Sequence, residues 1–337
     1  MGNKASVISQ VANQVQNSVQ TMQQSAPATS QEQQQAAPAA AAPQCQPGEV
    51  ATGKLIVENA AIKIGVDPTR GAGIFWLSKG GSPDNLLNEY DCGRFIQQSY
   101  YGRQDGSDWN GKPWSWNPVQ CGSWQNRPAR VLECSKKGNC IVTQVNPRNW
   151  AGQQLCDDVW MRADISLVGK HADLKFTVKH DGCDDHPVRI QELPAVFLSR
   201  KLGQLVFYDG PEPWQGKTLT IKQPGQVNEN YRITENWAAY IDPTTGEGVG
   251  IYTPVAQTIT CYRVGKDGSN ACSDCSYVAP TMRFALKPGF EMTYHAFITI
   301  GTVEEIRKEF SDIRGWAVNK RPEMLASPAL AGATPAI

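Results

Sequence analysis

The stretch from Val50 to about Phe310 predicts an all-β fold, a sandwich or a barrel. Two observations carry this. Short segments with apolar residues at every second position follow one another, separated by Gly, Pro and Asp turn signals. Glycine (30), proline (22) and tryptophan (10) are generous in a chain of 337 residues, while helix-forming stretches are scarce.

In chain order, Lys54–Val66 predicts two short strands, and Gly71–Leu77 a third after a turn at Asp67-Pro68. Asp164–Val168 and Asp173–Lys179 alternate with period two and are joined at Gly169-Lys170. Leu205–Tyr208, Trp237–Ile241, Val249–Tyr252 and Met292–Ile300 continue the pattern, with turns at Asp242-Pro-Thr-Thr-Gly246 and Lys287-Pro-Gly289. One helix is expected over Val303–Ile313, because Thr302 and Glu305 have the spacing of a capping box.

Charge divides the chain unevenly. Lys+Arg 32 balances Asp+Glu 32, yet between Met1 and Pro47 only Lys4 and Glu32 are charged. The Gln-, Ala- and Pro-rich composition of residues 1–47 has little apolar surface to offset chain entropy and predicts an unstructured arm. Within it, Ile8, Val11, Val15, Val19 and Met22 fall on one helical face, which suits a short helix or seam, or a membrane-lying or partner helix. Residues 48–315 form the β domain and residues 316–337 a loose tail. Met1-Gly2-Asn3-Lys4-Ala5-Ser6 matches the N-myristoylation pattern, so Gly2 is a lipidation candidate. With no secretory signal, the expected location is cytoplasmic, peripheral to a membrane through that lipid. A single myristoyl chain binds only marginally, so the Ile8–Met22 stripe would have to help.

Neutral charge and the lack of a dense Lys/Arg run argue against nucleic acid as a partner. No apolar run approaches the about 20 residues that cross a bilayer. The ten cysteines would stay reduced in the cytosol. Cys272-Ser-Asp-Cys275 has the spacing of a zinc half-site, but no second such pair exists. Cys134 and Cys140 flank a hairpin tip at Lys136–Asn139 and could be disulfide-bonded or free. No cofactor is implied.

The order of signals resembles that of the galactose mutarotase-like group of carbohydrate-active proteins. The matching features are the strand–turn–strand from Asn59 to Leu77, Asn85-Leu-Leu-Asn88, Gly93-Arg94, the strand–turn–strand from Trp237 to Tyr252, and Leu286-Lys-Pro-Gly289 before a long strand. The resemblance covers about Leu55 to Phe310. It implies a large two-sheet antiparallel β-sandwich, the supersandwich of that group, and makes Arg94 a sugar-contacting residue. It sets Glu192 about where mutarotases carry their acid histidine. The stretch Ser276–Phe284, comparable to the one bearing their basic glutamate, has no carboxylate, which speaks against simple mutarotation.

The densest run of candidate binding residues lies between Tyr90 and Trp124: Arg94, Gln97, Gln98, Tyr101, Trp114, Trp116, Asn117 and Gln120. Aromatic rings cover the C–H faces of sugars, and amides and guanidinium groups satisfy their hydroxyls. Glu192 interrupts the apolar strand Pro187–Phe197, and Glu235 precedes Trp237. Two carboxylates across a cleft suffice for glycoside hydrolysis. A lyase would instead use a base such as Tyr100 or Tyr101 with Arg94 to neutralise a uronate. Tyr208 and Trp214, in a Pro/Gly loop, are candidates for the rim of the same cleft. The expectation is a protein that binds or acts on an oligo- or polysaccharide, by acid/base chemistry at a glycosidic linkage without a metal. The alternative is a myristoylated peripheral membrane scaffold, or a structural brick, that uses the fold without catalysis.

Overall fold

The computed structural model describes residues 48–266 and 273–326, so Gly2, the apolar stripe, Cys272 and the far C-terminus lie outside the described residues. Among the described residues the elements are strands, one α-helix and two short 3-10 turns, Pro68–Arg70 and Pro322–Met324. In chain order the strands are β1 (Leu55–Glu58), β2 (Lys63–Asp67), β3 (Gly73–Ser78), β4 (Ile96–Ser99), β5 (Gln104–Trp109), β6 (Lys112–Ser115), β7 (Pro118–Val119), β8 (Arg130–Lys137), β9 (Cys140–Asn146), β10 (Arg148–Asn149) and β11 (Val159–Val168). They continue with β12 (His171–His180), β13 (His186–Ser199), β14 (Gln204–Phe207), β15 (Thr220–Lys222), β16 (Glu229–Arg232), β17 (Trp237–Ile241), β18 (Glu247–Tyr252), β19 (Thr258–Val264), β20 (Cys275–Leu286) and β21 (Phe290–Thr302), before α1 (Val303–Lys320).

The strands build two antiparallel sheets. A ten-stranded sheet runs β1-β2-β3-β4-β13-β20-β19-β16, with β7 added to β4 and β10 to β7. A nine-stranded sheet runs β15-β14-β17-β18-β21-β12-β11-β9-β8. Strands β5 and β6 form a separate two-stranded arm. The main core fills the space between the sheets, drawing Ile64, Ile96, Val196 and Val278 from one and Ile165, Phe176, Val249 and Ile298 from the other. Alternation explains this partition, since every second residue of a strand faces the same way. Thus Ala238 and Tyr240 of β17 join the main core, whereas Trp237, Ala239 and Ile241 face outward under Ile306, Phe310 and Ile313 of α1.

The all-β, two-sheet architecture and its C-terminal helix agree with the sequence. The capping box forms as expected, with Thr302 Oγ1 accepting from the Glu305 amide and Glu305 accepting from the Thr302 amide. The helix runs past Ile313 to Lys320, so the boundary drawn at 316 falls inside it; Ala317 and Met324 are both buried. Of the two states left open for Cys134 and Cys140, the free one is found. Cys134 pairs with Thr143 and Cys140 with Lys137 in the β8–β9 hairpin, and both cysteines are free. The hairpin tip lies where the sequence puts it, but its register keeps the two thiols on different rungs.

Candidate functional site

Glu192 owes its position to a bulge. Between the pairs Glu192↔Thr281 and Val196↔Val278, β13 advances four residues while β20 advances three. One extra residue reverses the inside–outside alternation, a known use of bulges for re-aiming a side chain. Val196 therefore faces the main core, and Glu192 faces the outer side of the ten-stranded sheet.

On that face an aromatic row crosses three strands. Phe197 of β13 is opposite Tyr277 of β20, which is opposite Tyr262 of β19. Ring centroids are 4.8 Å apart for Phe197–Tyr277 and 4.5 Å for Tyr262–Tyr277. The hydroxyls of Tyr277 and Tyr101 both donate to Glu192 Oε1, the latter at 3.0 Å. Ser99, opposite Glu192 across β4, adds a third hydroxyl. Burial raises the Glu192 carboxyl above the ordinary carboxylate range and outweighs the three hydroxyls, which favour the ionised form. Only 8% of Glu192 is exposed. Gln191 fixes Tyr101 in place, accepting from its amide at 2.6 Å and donating to its carbonyl at 3.0 Å.

Arg94 closes one end of the row. Its guanidinium lies over the Phe197 ring, 5.6 Å from the centroid, and its Nη1 donates to the Ser273 carbonyl at 3.1 Å. Nε donates to Asp91 at 3.3 Å. Burial pushes the Asp91 carboxyl up even so. The next residue, Phe95, is wholly buried with φ 152°, a conformation that L side chains rarely adopt. Arg94, Tyr101 and Glu192, all singled out from the sequence, thus share one face.

Other sequence candidates are placed elsewhere, each for a physical reason. Tyr100 is corrected as a base: it is wholly buried in the main core and donates to Gln98 at 2.8 Å, and burial drives its phenol far above its ordinary value. Gln98 points inward with it, and its Nε2 donates to the Arg162 carbonyl of the other sheet at 3.1 Å. Gln120 accepts from the Gln98 amide, and Asn117 donates to the Tyr100 carbonyl, so both amides tie β7 to β4. Gln97 does face outward beside Ala195, but accepts from the Cys121 amide. Trp116 packs in the main core, stacked on His186 at 3.7 Å. Trp114 is half-buried in a separate tryptophan group.

Glu235 is corrected as the second carboxylate. It is wholly buried on the far side of the nine-stranded sheet, accepting from Arg307 of α1 at 2.6 and 3.0 Å and from Trp237 Nε1 at 2.9 Å. Two sheets and their shared core, about 10 Å between backbones, separate it from Glu192. Tyr208 and Trp214 belong to this second place. Arg307 lies over the Tyr208 ring, and Trp214 contacts Tyr252 and donates its amide to Glu235. They plug the space beside α1 and do not border the Glu192 face.

Tyr277, Tyr262, Phe197 and Ser99 escaped the sequence reading. The stretch Ser276–Phe284, read for its missing carboxylate, instead carries the phenol of Tyr277, which donates to Glu192. Aromatic residues at matching steps of two adjoining strands, Thr258–Val264 and Cys275–Leu286, were the available signal. Among the described residues no group of three or more His, Cys, Asp or Glu side chains could hold a metal.

Fold and site together define a two-sheet antiparallel β-sandwich bearing a carboxyl–phenol cluster and an arginine on the outer face of one sheet. Among solved structures, the chain is similar to a galactose mutarotase-like protein from Lactobacillus casei, at 11% identity over 74% of this chain and 100% of that one, with a TM-score of 0.49. It is also similar to a galactose mutarotase related enzyme from Lactobacillus acidophilus, at 11% identity over 73% and 97% of the two chains, with a TM-score of 0.48. A third is the 4-alpha-glucanotransferase from Thermococcus litoralis, at 14% identity over 74% of this chain and 37% of that one, with a TM-score of 0.43. No protein-family model and no curated protein matches the chain.

Proposed function

We propose that the outer face of the ten-stranded sheet binds a carbohydrate and that Glu192 exchanges a proton with an acetal or hemiacetal oxygen of it. The observation that carries this reading is the Glu192 carboxyl held by two tyrosine hydroxyls, next to an aromatic row capped by Arg94. Phe197 and Tyr262, the half-buried rings of the row, offer apolar surface to sugar C–H groups, and Arg94 offers N–H donors to hydroxyls. A carboxyl whose pKa is raised by burial keeps its proton closer to neutrality, as a general acid requires. Tyr277 and Tyr101 hold the carboxylate that remains after the proton leaves. The ligand is the end of an oligo- or polysaccharide, and the reaction is acid/base chemistry at its glycosidic or anomeric oxygen.

A glycan array with wild-type protein and the Glu192→Gln variant tests this. Both should bind the same glycans, because the amide keeps an acceptor for the tyrosines. Conversion of those glycans, followed by NMR of their anomeric protons, should fall at least about a hundredfold in the variant. Full conversion by Glu192→Gln, or an array with no binding, overturns the reading.

A further inference from the structure

Next to the Glu192 face lies a group of side chains that the chemistry above leaves without a task. Trp109 and Trp114 come from the β5–β6 arm, Trp124 from the loop before β8, and Trp150 from the end of β10. Trp150 lies 5.2 Å from both Trp109 and Trp114, and 6.5 Å from Trp124, between ring centroids. All four are half-buried, and their rings are inclined to one another at 44° to 66°, which leaves part of each ring at the surface.

A sealed apolar cluster would leave its buried polar atoms paired. Here the indole N–H groups of Trp114 and Trp124 have no partner. Asn149, wholly buried, reaches across to the arm, where its Nδ2 donates to Asp105, yet its Oδ1 is unpartnered. Aromatic surface combined with unmatched donors and an unmatched acceptor is what a sugar ring and its hydroxyls would complement.

The group adjoins the first site through Gly93. A Cβ there would come within 2.8 Å of Trp150 Nε1 and 3.1 Å of Asp91 Oδ1, so only glycine lets the tryptophans approach the Asp91–Arg94 turn this closely. The sequence of neighbours is Trp150, Gly93-Arg94, Phe197, Tyr277, Glu192.

We propose that the tryptophan group is a second carbohydrate subsite, which takes the next sugar units of a glycan whose reacting unit lies at Glu192. The chain of the glycan runs from Glu192 past Arg94 onto the β5–β6 arm. This inference rests on the Glu192 face being a sugar site and adds the direction of the ligand and its length.

The test is tryptophan fluorescence and calorimetric titration with the monosaccharide and the tetrasaccharide of the cello, chito, xylo and galacturono series. In a series that binds, the tetrasaccharide should bind about tenfold or more tightly than its monosaccharide and quench emission. Trp109→Ala, on the arm, should remove that gain while monosaccharide affinity stays unchanged. Trp109→Phe, which keeps a ring, should retain part of it and controls for misfolding of the arm. Equal affinity of both lengths, or a gain that survives Trp109→Ala, overturns the subsite while the Glu192 site stands. Binding of no sugar in any series overturns both.

Discussion

A carboxyl that is nearly buried is costly when ionised, and at Glu192 the cost is retained at the centre of the candidate site. Its sign in stability follows from linkage. The folded protein raises the Glu192 pKa, so its favourable contribution is complete below the ordinary carboxylate value of about 4.3 and is lost as pH rises through the raised folded value. The Glu192→Gln variant should therefore melt at a temperature equal to or higher than wild type at neutral pH. That advantage should shrink as the pH falls through the raised folded value and should be gone below the ordinary carboxylate value. Thermal midpoints measured across that interval check it. A variant whose deficit grows as the pH rises would mean that the tyrosine hydroxyls, which favour the ionised form, and not burial, govern the carboxyl. Proteins commonly hold such a residue at the expense of stability where it serves activity.

At the scale of elements, a buried ion pair helps to fasten α1, beside the packing of Ile306, Phe310 and Ile313 on the sheet. Arg307 forms two hydrogen bonds to Glu235, which is wholly buried and also holds the amide of Trp214 and the indole of Trp237. Removing one partner of such a pair leaves an uncompensated charge and costs about 3–5 kcal/mol, while replacing both by apolar or neutral groups costs much less. Arg307→Ala should lower the urea midpoint accordingly, and Arg307→Met combined with Glu235→Gln should recover most of the loss. Glycan binding at the Glu192 face should be unchanged in both, because the pair lies beyond the other sheet. Loss of binding by the double variant would show the two faces to be coupled.

At the scale of the whole molecule, the sandwich withdraws its thiols from solvent. Cys92, Cys121, Cys134, Cys156, Cys261 and Cys275 are buried, Cys140 is half-buried and Cys183 is exposed. Burial raises the buried thiols, Cys134 to about 11, and so suppresses the reactive thiolate. Among the eight cysteines of the described residues, a thiol reagent applied to native protein, with labelled peptides identified by mass spectrometry, should modify Cys183 first, then Cys140, and the six buried positions only after denaturation. Early labelling of Cys134 would contradict the register of the β8–β9 hairpin.

Much of this architecture is legible locally. Period-two alternation locates β11 and β12, and short apolar runs between turn signals locate β2, β3, β17, β18 and β21, because each has at least one face in a core. Strands β4, β8, β9 and β19 are less visible, since Gln98, Thr143 and Gln144 occupy buried places with polar side chains. Their amides and hydroxyls are legible as core only once their hydrogen-bond partners are known.

The sequence by itself determined the all-β class and the capped C-terminal helix, and it singled out Arg94, Tyr101 and Glu192, which the structure brings to one face. These rest on local facts: periodicity, capping spacing, and a charge placed within an apolar strand. Only the tertiary structure decided which side of a sheet each candidate faces. One extra residue in β13 turns Glu192 outward to Tyr277, and the crossing of the chain to the second sheet carries Glu235 to the opposite side, under α1. Neither the bulge nor the pairing of strands distant in sequence leaves a local mark, because both depend on which segments meet when the two sheets close on their common core.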